Sequence, residues 1–408
     1  MLREGSRGAP AAEGAEAELS RVVRRPRATR RGAIVPDHRT RRPARLPGTL
    51  LRLVGVVVAI AVTLVLVELS YRVYHLQVYG TPLWQGVDDL GRDPTIQDRL
   101  NPIAIDTRMG WRAAFNYRYD GPRSNVDGTT YEVHVTSDDQ GFRMFGDPGS
   151  RRPKIFVVGD SFTQAVQVSD SATYFAIIGR DLGAEIFAYG VGGHGSLQKY
   201  LALDEYIDRI RPDLLVWQYC SNNFVKTSFE LESQSVLNNN RLVRPYLEGD
   251  QVVYRLPVAD PLGLRTFWGL KSRALYAVLS RWDSYDTAQH AASSIETTIQ
   301  QEGLALPAFR QAVETTDRIM GMVRARVGSL PIVAFNCDDS EPYAQAWEAI
   351  SARYDIHFFR DVAQSLGDAE ALGQMIRVTD GHWNETGDRL IAMALEPHVR
   401  AVLASAAR

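Results

Sequence analysis

At 408 residues, with 45% hydrophobic and 23% charged side chains, the chain has the make-up of a folded protein and room for two or three domains. Two cysteines are too few for a disulfide framework, so an apolar core must hold the fold. The net charge of -2 conceals a split: residues 1–52 carry 13 Arg against 5 acidic residues, which leaves the remainder at about -10.

The basic stretch is rich in Pro, Ala and Gly without a hydrophobic period, and it predicts a disordered tail over residues 1–48. An uncharged run from Leu53 to Val67 follows directly. With its flanks it gives the roughly twenty apolar residues that cross a bilayer, and we place a transmembrane helix at 49–71. The arginine-rich side then stays cytoplasmic and all later residues lie outside. The preceding region is too long for a cleaved signal peptide, and no small-x-small site follows. The tail is thus read as the cytoplasmic flank of an anchor, and no nucleic-acid partner is expected.

Residues 72–150 lack strong periodicity, and pieces such as Tyr131-Glu132-Val133-His134-Val135 suggest edge strands packed on the main domain. Regular alternation then predicts a strand at Ile155–Val158, a helix at 171–182 stopped by Gly183, a strand at 185–189, a helix at 196–210 and a strand at 214–219. An insertion over about 224–308 interrupts it, with a hairpin near Gly249-Asp250 and an amphipathic helix around 267–285. It is either a lid or substrate wall, or a packing subdomain. A helix at 310–327, strands at 332–335 and 356–359 and a helix at 386–403 complete an α/β domain over 151–408, whose sheet is parallel and covered on both faces. Cys220 and Cys337 each follow a buried strand; a disulfide between them is feasible outside the cytoplasm, but adjacent parallel strands rarely offer the geometry, and two inert thiols are expected there.

Gly159-Asp160-Ser161 ends the apolar run Ile155–Val158, which would expose the serine hydroxyl at the carboxyl edge of a sheet, where open α/β sheets bind ligands. A helix N-cap is the plainer role for such a serine. A serine nucleophile needs a base, and Asp380-Gly381-His382 offers His382 as base and Asp380 as its orienting acid. The backbone N–H of Ser161, the N–H of Gly193 and the side-chain amide of Asn222 are candidate donors to an oxyanion, glycine at 193 letting a substrate approach the main chain. Gly190-x-Gly192-x-x-Gly195 matches a dinucleotide spacing, but it follows the second strand, and the third ends in Tyr219-Cys220-Ser221-Asn222 without an acidic ribose ligand. No cofactor is expected, and no Cys/His cluster has metal-ligand spacing.

In these blocks the chain resembles the SGNH branch of the GDSL hydrolases. The resemblance runs from Val135-Thr136-Ser137-Asp138-Asp139-Gln140-Gly141-Phe142-Arg143 through Gly159-Asp160-Ser161-Phe162-Thr163, Gly190-Val191-Gly192-Gly193 and Asn222-Asn223 to Asp380-Gly381-His382-Trp383-Asn384. It implies a three-layer α/β/α, flavodoxin-like fold in which Ser161, Gly193, Asn222 and His382 are the signature residues. Asp380 stands two residues before the histidine where many members place it three before, and Ala188 and Asn223 replace a common Asn and Asp. The activity implied is serine acyl-ester hydrolysis. A location outside the membrane suggests an acylated small molecule or O-acylated carbohydrate as substrate. The same site serves an O-acyltransferase if a sugar hydroxyl replaces water, and a glycan-binding or assembly module remains the non-enzymatic alternative.

Overall fold

The structure is a computed structural model that describes residues 48–90 and 103–406. The expected tail lies, but for its last residue, outside the described residues, as do residues 91–102 of the membrane-proximal segment. The chain divides into two compact units, Met1–Val57 and Val58–Arg408. The first is described only over residues 48–57, which are helical.

Helix α1 (Gly48–Tyr79) includes the predicted span and continues eight residues beyond it. It is long and apolar enough to cross a membrane, and its apolar window is 0% buried by the protein.

The predicted edge strands fold as separate ladders. β1 (Ile103–Asp106) pairs with β2 (Gly110–Ala113), and β3 (Arg118–Ser124) with β4 (Thr130–Thr136), all antiparallel. Only β5 (Met144–Phe145) joins the main sheet, as its antiparallel edge. β1–β4 thus stay outside the main sheet, since alternation shows that one face is buried but not which strand is the neighbour.

The core alternates as expected: β6 (Lys154–Gly159), α2 (Ser161–Gln164), α3 (Tyr174–Leu182), β7 (Glu185–Gly190), α4 (Ser196–Ile210) and β8 (Leu214–Tyr219). In the insertion, β9 (Arg244–Glu248) and β10 (Gln251–Arg255) form the hairpin at Gly249-Asp250, and α5 (Arg273–His290) is the long helix. α6 (Pro307–Val327), β11 (Ile332–Asn336), α7 (Tyr343–Arg353), β12 (Ile356–Phe358), α8 (Asp361–Ala371) and α9 (Glu385–Ala406) complete the domain. The sheet order is β12-β11-β8-β6-β7-β5, parallel except at β5. The five parallel strands therefore run 2-1-3-4-5, and the direction of winding reverses between β6 and β8, the point at which such sheets open a ligand crevice.

Side chains alternate across the sheet. Phe156, Val158, Leu215 and Trp217 pack with Leu197, Met320 and Trp347 of α4, α6 and α7. Ile155, Val157, Val216 and Phe335 pack on the other face with Ile178, Leu366 and Leu395 of α3, α8 and α9. Each fully buried side chain of this size contributes about 1.5–3 kcal/mol, so the two layers fix the strand ends from which the site is built.

The two cysteines are not free. β8 and β11 pair in register with Asn336 opposite Tyr219, so the next residues, Cys220 and Cys337, stand side by side with Cα atoms 5.1 Å apart and form a disulfide. Cys337 N still donates across to Tyr219 O at 2.8 Å, so the bridge closes at the last ladder bond between the two strands.

Candidate active site

Ser161 opens α2 immediately after β6. Its hydroxyl does not cap that helix: Asp160 is the N-cap, its side chain accepting from Phe162 N at 3.2 Å. Asp160 is anchored below the site. Its N–H donates to Gln218 Oε1 at 2.9 Å, and its Oδ2 accepts from Lys199 Nζ and Asn223 Nδ2, each at 3.1 Å. The remaining Lys199 donors reach Gln218 O and Asn223 Oδ1, each at 2.7 Å. Burial opposes the Asp160 charge, but the ammonium groups of Lys199 and Lys226 hold its carboxyl below the usual carboxylate range. A buried pair with every donor matched in this way is costly to break and fixes geometry.

The segment after α2 is held by Arg143, the last residue of the lead-in block. Its buried guanidinium donates to the carbonyls of Gln164, Ala165 and Val168 and to Asp170 Oδ1, the last at 2.9 Å. This segment also carries Gln167, whose Nε2 donates to Asp380 Oδ2 at 2.9 Å.

Asp380 and His382 form a hydrogen-bonded pair, with Nδ1 donating to Oδ1 at 2.9 Å. Gly381 between them has φ +86°, a left-handed turn that a side chain would strain. That turn lets the same Oδ1 also accept from His382 N at 3.0 Å, so a two-residue spacing suffices. Asp380 is 54% exposed. Its partial burial opposes ionisation, yet the hydrogen bonds and charge of His382, with the Gln167 amide, hold its carboxyl at about 2. The imidazole lies against Phe162, ring centroids 4.9 Å apart, which puts it beside the residue that follows Ser161. Ser161 Oγ and His382 Nε2 form no hydrogen bond with each other, nor with any other described residue. Such pairs are commonly long in unliganded enzymes and tighten with substrate.

The three candidate oxyanion donors follow adjacent strands β6, β7 and β8. Gly193 has φ +81°, and a Cβ there would lie 2.5 Å from the Asn240 side chain. Conformation and packing therefore both require glycine here. Gly192 N donates to Gln164 Oε1 and Gly192 O accepts from Trp111 Nε1, each at 2.8 Å. Because a trans peptide points its C=O and N–H in opposite directions, fixing Gly192 O on Trp111 turns the Gly193 N–H away from that indole. Gly193 O is held in turn by Arg244 Nη1 at 2.9 Å. Arg244 is buried, ion-paired to Glu232 at 2.7 Å, and lies 4.6 Å over the Trp111 ring.

Asn222 Oδ1 accepts from Lys226 Nζ and Asn223 Nδ2, each at 3.1 Å, so its amide NH2 is left to donate. Burial drives Lys226 down to about 8, against the pull of Asp160. Among the described residues the Ser161 N–H, Gly193 N–H and Asn222 Nδ2 have no acceptor, the condition an anion-binding hole requires.

The structure thus gathers Ser161, Gly193 and Asn222 along three neighbouring strand ends and sets His382, with Asp380, beside the first. Trp111, Gln164, Gln167, Lys199 and Arg244, which carry no motif of their own, support them, as does Arg143 of the lead-in block. A cavity of about 390 Å³ adjoins the acid, between Tyr117, Arg123, Gln167 and Asp380. No group of three or more His, Cys, Asp or Glu placed to hold a metal ion occurs among the described residues.

No family model matches the sequence, and no curated protein does. Solved structures similar to it include a lipase/acylhydrolase from Enterococcus faecalis, at 11% identity over 61% of this chain and 96% of that one, with a TM-score of 0.35. Another is a carbohydrate esterase family 2 enzyme with a carbohydrate binding domain from Corynascus thermopiles, at 13% identity, 68% and 72% coverage and a TM-score of 0.35. A third is an acetyl-xylooligosaccharide esterase from Geobacillus Stearmophilus, at 12% identity, 62% and 95% coverage and a TM-score of 0.33.

Proposed function

We propose that the chain is a serine-dependent acyl-ester hydrolase, held by α1 in a membrane with its α/β domain on the extracytoplasmic side. The observation that carries the chemistry is the Asp380–His382 pair, set against Phe162 at the serine turn while three unpaired donors end the neighbouring strands. In this reading His382 Nε2 takes the Ser161 proton as Oγ attacks the ester carbonyl. The tetrahedral oxyanion is met by the Ser161 and Gly193 N–H groups and by Asn222 Nδ2. Collapse expels the alcohol, which takes the proton from His382, and leaves an acyl-enzyme on Ser161. Water, deprotonated by His382, releases the acid and restores the hydroxyl. Asp380 keeps the imidazole in its Nδ1–H tautomer throughout.

Two observations support the location. The arginine-rich sequence before α1 fits a cytoplasmic flank, and the Cys220–Cys337 disulfide suits an oxidising compartment. The test is acetate release from a small aryl acetate by the full-length protein in detergent micelles. Turnover by the wild type that disappears in Ser161→Ala supports the reading, and equal turnover in both removes it. The same assay with an added sugar alcohol separates hydrolysis from transfer, since transfer consumes the ester without releasing acid.

A further inference from the structure

The insertion helix α5 is amphipathic, and it is mounted inside out. A surface helix ordinarily turns its apolar stripe to the core. Here the polar side faces the domain: Asp283 pairs with Arg241 at 2.6 Å and with Arg265 Nη1 at 3.0 Å, Asp286 pairs with Arg241, and Thr287 Oγ1 donates to Val236 O at 2.9 Å. The opposite side carries Ala274, Ala277, Val278, Trp282 and Tyr285, the i, i+3, i+4, i+8, i+11 spacing of a single helical stripe. Val278 is 64%, Trp282 64% and Tyr285 59% exposed.

The place of this stripe is set by α1. Glu68 accepts from Ser272 Oγ at 2.6 Å and from the N–H groups of Arg273 and Ala274 at 3.1 and 3.0 Å, so it caps the start of α5. Arg273 is buried and donates to Thr81 Oγ1 and Pro82 O just past the end of α1. Val67 and Tyr71, in the last turns of the apolar run, share with the α5 stripe an open groove of about 730 Å³. Arg281 lies in the same stripe, long enough to carry its charge out of an apolar layer. Leu262, Phe267 and Trp268 lead into the helix, and Trp84 follows α1; all are exposed. Aromatic side chains at this level, beside the outer end of an apolar span, match the belt where Trp and Tyr bridge acyl chains and headgroups.

Resting on the membrane-anchor reading above, we propose that the outward stripe of α5 lies in the outer bilayer interface, so that the insertion is a second membrane contact that fixes the tilt of the catalytic domain. The occupant is lipid, because the exposed stripe continues the lipid-facing surface of α1 at its outer end.

The test places an environment-sensitive fluorophore on Trp282→Cys, Tyr285→Cys and Val57→Cys variants of the full chain, each reconstituted in phosphatidylcholine vesicles. Doxyl-labelled phosphatidylcholine and aqueous iodide serve as quenchers. The inference requires loss of emission to doxyl lipid and protection from iodide at residues 282 and 285, as at residue 57. Quenching at 57 together with iodide-accessible 282 and 285 overturns the inference and leaves the anchor intact. No lipid quenching at 57 removes the anchor and the inference with it. Shielding of 282 and 285 from both quenchers means that protein covers the stripe, which also overturns it.

Discussion

Asp380 Oδ1 and His382 Nδ1 meet at 2.9 Å across one glycine, a contact that orients the imidazole we propose as the base. Its second support is the Gln167 amide on Asp380 Oδ2. Asp380→Asn should retain the fold and lower kcat by about 10²–10⁴-fold, because an amide facing Nδ1 favours the wrong tautomer. Gln167→Ala should lose less, on the order of tenfold, since it only positions the acid. Steady-state kinetics on an aryl acetate check both, and an unchanged kcat in Asp380→Asn removes the acid from the mechanism.

Asn222 owes its direction to Lys226. Asn222→Ala should cost about 10²–10³ in kcat with little change in KM, the loss typical of one oxyanion donor. Lys226 loses its proton near pH 8, so the ammonium that holds Asn222 Oδ1 is present below that pH and lost above it. Activity should therefore decline on the alkaline side of pH 8, and Lys226→Met should flatten that limb while lowering kcat throughout. A limb of the same shape in Lys226→Met assigns it to another group.

Trp111 fixes the peptide between Gly192 and Gly193, whose N–H is one of the proposed oxyanion donors. Trp111→Phe keeps a ring beneath Arg244 and deletes only the indole N–H. A fall in kcat of about tenfold is expected, smaller than for a direct donor, with Tm nearly unchanged. A large drop in Tm with normal kcat in the surviving enzyme makes Trp111 purely structural.

Much of this arrangement is legible in the sequence, and what is missing has a common cause. β8 and α4 fall at the residues the sequence predicts, because Leu214–Trp217 is a continuous apolar run that Tyr219 extends past a single polar Gln218, and Ser196–Ile210 ends before a proline. Ser161, Asn222, Gly193 and His382 are visible because each follows a strand or precedes the last helix. Trp111, Gln167 and Arg244 are not, and Arg143 shows only as the end of the lead-in block, without its role. Their partners include backbone carbonyls and a carboxylate 22, 51, 81 and 213 residues away, and no local spacing encodes such pairs. The disulfide was missed for the same reason, since register between β8 and β11 is a property of the sheet. The helical stretch expected around 267–285 is broken at Ser272, whose hydroxyl accepts from Leu275 N and starts α5 at Arg273, a break the apolar run alone does not reveal.

Asp388 in α9 is a buried carboxyl that accepts from Tyr174 N at 2.9 Å, and burial pushes it up to about 8 despite Arg143. The folded protein thus keeps a proton that the unfolded chain releases near pH 4. Stability should fall as pH rises from about 4 to 8, by up to about 1.4 kcal/mol for each unit crossed. Thermal melts of Asp388→Asn should show a smaller Tm difference between pH 5 and pH 8 than the wild type. An identical difference in the two proteins contradicts the assignment.

Closing the 117-residue separation between Cys220 and Cys337 restricts the unfolded chain. Cys220→Ser/Cys337→Ser should lose about 2–4 kcal/mol of stability and keep its turnover at low temperature. Urea unfolding of oxidised and doubly substituted protein measures the difference, and equal midpoints leave the disulfide without a stabilising role.

The central claim is that Ser161 is a nucleophile activated by His382, and covalent capture tests it most directly. Full-length protein is treated with a fluorophosphonate and the adduct located by peptide mass. A single adduct on Ser161 is expected, absent in Ser161→Ala and formed far more slowly in His382→Ala. An adduct of equal yield in Ser161→Ala, or a rate unaffected by loss of His382, contradicts it.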